Sequence, residues 1–121
     1  MEEKSLTPLQ RKVLLEKHTE KPFTGKYLNN KEKGIYTCAN CKTPLFNSES
    51  KYDSGSGWPS FTEPVKEEHI QKKPDITLLI PRTEILCKKC GGHLGHVFND
   101  GPKPSGKRYC VNSAALNFEK E

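Results

Sequence analysis

The chain is short of apolar material. Of its 121 residues only 32% are hydrophobic, against 29% charged, and tryptophan occurs once. That length fits one domain, residues 1–121, and is too short for two ordinary ones. The core must be thin, since a domain of this size buries roughly two-thirds of its unfolded surface. No window approaches the roughly 18 apolar residues of a membrane span, and residues 1–4 lead into no apolar stretch of the kind that opens a secretory signal. A cytoplasmic protein without a membrane partner is expected. Blocks of five like charges are also lacking, because the acidic residues are interspersed with the basic ones. The formal charge of +5 therefore reads as a solvated surface. Nucleic acid is not expected as a partner, since it prefers a focused basic stripe. There are no internal repeats and no low-complexity segments.

Nine glycines and nine prolines favour turns and short strands over long helices. One helix is predicted, over about residues 7–18. Thr7 suits its N-cap, Pro8 its first turn, and Gln10 completes a capping box. Leu6, Leu9, Val13 and Leu14 would form its apolar stripe. After Tyr27 the pattern shortens to strand-like runs at residues 34–38, 76–80, 83–87 and 108–118, with Pro81 at a bend. Two glycine-rich loops lie between them, at residues 54–61 and 91–101. The expected fold is mainly β with an N-terminal helix.

The five cysteines divide four to one. Cys38 and Cys41 form one CxxC pair, Cys87 and Cys90 another. Four thiols so paired satisfy one tetrahedral zinc and leave it no open position, which predicts a structural site and one Zn2+ per chain. A redox CxxC would sit in a βαβ pattern, which is missing. His93 and His96 offer a competing set with Cys87 and Cys90, but that set would strand Cys38 and Cys41. Metal binding would also supply stability that the thin core lacks, since structural zinc is worth about 10–16 kcal/mol in small peptides.

Cys110 remains alone. An isolated cysteine is commonly a small buried hydrophobe. Strand alternation, however, places Arg108, Cys110 and Asn112 on one face, with Tyr109 and Val111 on the other. A thiol between a guanidinium and an amide reads as a nucleophile, because nearby positive charge favours thiolate. His93 and His96, on a loop bracketed by glycines, supply acid–base and hydrogen-bonding groups. Trp58, between Gly57 and Pro59, is either a packing anchor or the wall of an apolar pocket.

Four motifs in order, Gly57-Trp58-Pro59-Ser60-Phe61, the two CxxC pairs, residues 92–98 (GHLGHVF) and residues 108–116 (RYCVNSAAL), closely resemble the B-class methionine sulfoxide reductases, which act on the R epimer at sulfur. The resemblance covers residues 6–118. It implies two antiparallel β-sheets, with a four-cysteine zinc remote from the catalytic thiol. It implies that Cys110 attacks the sulfoxide sulfur, that His96 with His93 assists the departing oxygen, and that Asn112 orients that network. Trp58 and Phe98 would hold the methyl end of the substrate, with Arg108 and Asp100 flanking the nucleophile. Many members carry a resolving cysteine where this chain has Ser56. An external thiol such as thioredoxin is therefore the expected reductant, oxidised proteins the expected substrates, and a monomer the expected state. Residues 75–80 depart from the family pattern. The rival reading, a zinc-binding interaction module without catalysis, leaves Cys110, the histidines and Trp58 without a common purpose.

Overall fold

A computed structural model describes residues 6–75 and 82–121. The strand and bend expected at residues 76–81 lie outside them. Helix α1 (Pro8–Glu16) begins as its sequence dictates. The Thr7 hydroxyl accepts from the Gln10 N–H, and the Gln10 side chain accepts from the Thr7 N–H. It ends slightly early, with Lys17 in the left-handed conformation at φ 58°. Leu6, Val13 and Leu14 are buried, but Leu9 is 46% exposed. The predicted stripe is thus narrower than expected. α1 lies against the strand His93–Phe98 and the turn at residues 113–115, with Leu14 over Gly92.

Among the described residues, the strands form two antiparallel sheets. The smaller holds β1 (Gly34–Cys38), β2 (Pro44–Asn47) and β9 (Leu116–Lys120) in the order β2-β1-β9. The larger holds β3 (Lys51–Tyr52), β4 (Ser60–Phe61), β5 (Ile70–Asp75), β6 (Arg82–Cys87), β7 (His93–Phe98) and β8 (Arg108–Val111), in the order β3-β4-β8-β7-β6-β5. Aromatic rings fill the space between them. Phe46 stacks on Phe61 at 4.4 Å between centroids, and Tyr36 meets Phe61 at 5.2 Å and Phe118 at 4.8 Å. A thin core built from rings buries much area per residue, which offsets the scarcity of aliphatic side chains.

Three sequence expectations are corrected. Residues 91–101, expected as a glycine-rich loop, contain strand β7, which carries both His93 and His96. Residues 108–118 are not one strand. β8 stops at Val111, residues 113–115 form a 3-10 turn, and β9 joins the other sheet. The break falls at Asn112, whose buried side chain bonds backbone outside the ladder: its Nδ2 donates to the Leu94 carbonyl, and its Oδ1 accepts from the Glu20 N–H. The sequence pattern also gives no sign of β5, which reads Ile-Gln-Lys-Lys-Pro-Asp. It is the edge strand, where Pro74 costs no ladder bond and lysines discourage further pairing.

Candidate active site

Antiparallel pairing assembles the site. β8 lies between β4 and β7, so Cys110 faces Ser60 on one side and His96 on the other. Directly opposed side chains on neighbouring strands lie about 4.5–5.5 Å apart at Cβ. Gly95 is required for this approach, since any Cβ there would collide with the Cys110 carbonyl. β8 alternates as its sequence predicts, with Tyr109 and Val111 in the core and Arg108 and Cys110 toward the opposite face.

That face borders a cavity of about 300 Å³, lined in part by Ser56, Trp58, His96, Phe98, Arg108, Cys110 and Asn112. Trp58 is fixed by its indole N–H, which donates to the Glu20 carbonyl at 2.9 Å. The Arg108 guanidinium lies 4.3 Å from the centre of the Phe98 ring and makes a two-pronged ion pair with Asp100, at 2.9 and 3.0 Å. Asp100 itself is exposed.

The two histidines are divided. His96 lines the cavity, and its Nε2 meets Asp75 at 2.8 Å. His93 is buried behind it, with its Nδ1 at 2.8 Å from Glu84 and its ring edge-on to His96. Burial holds the His93 pKa below the usual imidazole range, against the raising effect of Glu84. Asn112 lines the cavity but spends its hydrogen bonds on Leu94 and Glu20, not on either imidazole. Sequence reasoning misses Asp75, Glu84 and Glu20. Each meets its partner only through folding, and no local spacing marks it.

Burial pushes the Cys110 thiol above its ordinary range, and this outweighs the lowering by Ser56 and Arg108. The Ser56 hydroxyl lies 3.7 Å from the Cys110 sulfur. The resting thiol is therefore protonated at neutral pH. Its rate of alkylation in the free protein should climb about tenfold per pH unit, with no plateau near the ordinary thiol pKa of about 8.5. A plateau at about pH 6–7, well below that ordinary value, would contradict this if iodoacetamide mass labelling of Cys110 found it.

The other four cysteines lie together, all four sulfurs within 4.8 Å of one another. Cys38 and Cys90 are 3.7 Å apart, and Cys41 and Cys87 3.5 Å. A tetrahedron of sulfurs with arms of about 2.3 Å has edges of about 3.8 Å, so the set could hold a metal ion. The two CxxC turns repeat one device. Lys42 after Cys41 and Gly91 after Cys90 both take positive φ, 66° and 77°. The Gly92 N–H then points at the Cys90 sulfur.

A lone thiol in a cavity walled by Trp58 and Phe98, with four further thiols gathered into a separate cluster that could hold a metal ion, is the arrangement expected of a thiol-dependent oxidoreductase. Residues 6–120 match the SelR domain model. The chain is 58% identical over 118 residues, 98% of its length and 90% of the relative's, to a peptide methionine sulfoxide reductase MsrB of Leptospira interrogans. It is 52% identical, over 98% of its length and 83% of the relative's, to the MsrB of Methanosarcina barkeri. It is also 54% identical, over 95% of its length and 46% of the relative's, to a mitochondrial methionine-R-sulfoxide reductase B3 of Mus musculus. The chain belongs to the MsrB family of methionine sulfoxide reductases.

Proposed function

We propose that this chain reduces methionine-R-sulfoxide in proteins and that Cys110 is the nucleophile. The carrying observation is the cross-strand pairing of Cys110 with His96 inside the cavity beside Trp58. Trp58 and Phe98 hold the apolar end of the substrate. His96, braced by Asp75, donates a hydrogen bond or proton to the sulfoxide oxygen. His93 packs edge-on behind His96, Asn112 lines the cavity and pins the end of β8 to Leu94 and Glu20, and the Arg108–Asp100 pair fixes the guanidinium near the thiol.

The Cys110 sulfur attacks the sulfoxide sulfur. Oxygen passes to Cys110 as a sulfenic acid, and methionine leaves as the thioether. The substrate sulfur gains two electrons and the cysteine sulfur loses two. An external thiol then attacks the sulfenic sulfur and releases water. A second thiol regenerates Cys110 and leaves the reductant as a disulfide. Thioredoxin or another cytoplasmic thiol fits this step, in a protein acting as a monomer. Among the described residues no helix is long and apolar enough to cross a membrane. Zinc is the metal we assign to Cys38, Cys41, Cys87 and Cys90, in a structural role, because four thiolates leave it no open position.

The test is a single turnover without reductant, using separated epimers of a peptidyl methionine sulfoxide. The R epimer should convert Cys110 to a trappable sulfenic acid, with no internal disulfide in the mass spectrum. Ser56 replaces a resolving thiol, and the remaining cysteines are committed to metal. In the Ser56→Cys variant the new sulfur would sit close enough to Cys110 to form an internal disulfide under the same conditions, given the 3.7 Å contact present now. A wild-type disulfide between Cys110 and a CxxC cysteine would show that the resolving step is misassigned.

A further inference from the structure

We infer that Phe23 forms a subsite for the residue flanking the oxidised methionine in a polypeptide substrate. This rests on the assignment of the Cys110 cavity as the active site and extends it outward. Phe23 is 69% exposed, against 46% and 42% for Leu9 and Leu15, the other exposed large apolar side chains among the described residues. Its φ is 66°, a left-handed conformation that is unusual for a bulky residue. It is held there, since its N–H donates to the Gly57 carbonyl at 2.7 Å.

The ring lies over Gly57. A Cβ on Gly57 would stand 3.1 Å from ring atoms Cδ2 and Cε2. Gly57 is bonded to Ser56 and Trp58, both of which line the cavity. The same segment approaches the cavity twice more. Thr19 lines it, and the Glu20 carbonyl holds the Trp58 indole. Residues 19–23 therefore lead from the cavity wall at Thr19 to the rim at Gly57, where Phe23 presents an apolar ring to water.

A sulfoxide side chain that enters the cavity brings its backbone to this rim. The neighbouring residue of the polypeptide then crosses toward Phe23. An exposed ring offers that neighbour apolar contact and offers nothing to a substrate that ends at the methionine. Apolar flanking residues should be favoured.

The experiment compares kcat/KM for the R epimers of N-acetyl-methionine sulfoxide amide and of a capped peptide with leucine on both sides of the sulfoxide. Phe23→Ala removes the ring. Phe23→Asn removes it while keeping a residue that tolerates the left-handed turn. Phe23→Tyr restores an aromatic, and Leu15→Ala is the control at an exposed apolar site on α1. The peptide-to-amide ratio should fall about tenfold in the first two, mainly through KM, and hold in the tyrosine and control variants. An unchanged ratio, or equal losses on both substrates, would overturn the subsite. If neither substrate oxidises wild-type Cys110, the active-site assignment fails, and the subsite with it.

Discussion

Cys110→Ser is expected to reduce kcat/KM for methionine-R-sulfoxide by at least about three orders of magnitude, the scale on which removal of an enzyme nucleophile acts. Serine keeps the shape and a hydrogen-bonding group beside Ser56, but its hydroxyl does not ionise near neutrality and forms no sulfenic acid. The substitution is otherwise mild. Cys110 belongs to neither CxxC pair, and the core side of β8 is formed by Tyr109 and Val111. Metal content and melting temperature should therefore match the parent protein. Substantial residual turnover in the serine variant would place the nucleophile elsewhere.

Cys38→Ser is expected to act in the opposite order, on the fold first and on activity as a consequence. Elemental analysis of the parent should give one zinc per chain, and the variant should lose it. Structural zinc contributes about 10–16 kcal/mol in small peptides, while whole domains are stable by only about 5–15 kcal/mol. Even a loss of about 3 kcal/mol would lower the melting temperature by roughly 10–20 °C in a domain near this size. Chelation of the parent protein should reproduce the drop. An unchanged melting temperature in Cys38→Ser would remove the structural role assigned to the metal.

Much of this is legible in the chain alone. The capping box at Thr7 and Gln10 is local chemistry, and it forms as read. The CxxC pairs carry their spacing in the chain, and strand alternation puts Arg108, Cys110 and Asn112 on one face. What escapes the sequence depends on partners distant in the chain. The alternation of β8 continues past its end, and only the hydrogen bonds of Asn112 to Glu20 and Leu94 mark the break. Glu84, Asp75 and Glu20 look like ordinary surface charges. They become braces for His93, His96 and the turn after Cys110 because β5, β6 and residue 20 arrive beside them. The split between the histidines is hidden for the same reason. Their i, i+3 spacing in the chain does not show that one faces a cavity and the other a buried glutamate.

The layout of the four-cysteine cluster has a consequence for how a newly made chain becomes active. Cys87 and Cys90 form the turn between β6 and β7, the strand that carries His96. Cys38 pairs with Leu116, the first residue of β9, which follows the nucleophile strand after one short turn. Both halves of the Cys110–His96 pair thus hang from the same four sulfurs. The two knuckles and His96 leave the ribosome before Cys110, and the cradle around the thiol would close only when those knuckles, far apart in sequence, meet on one ion. Maturation of the enzyme should accordingly track metal supply during synthesis. Chains made under zinc starvation should be inert and recover when the ion is restored.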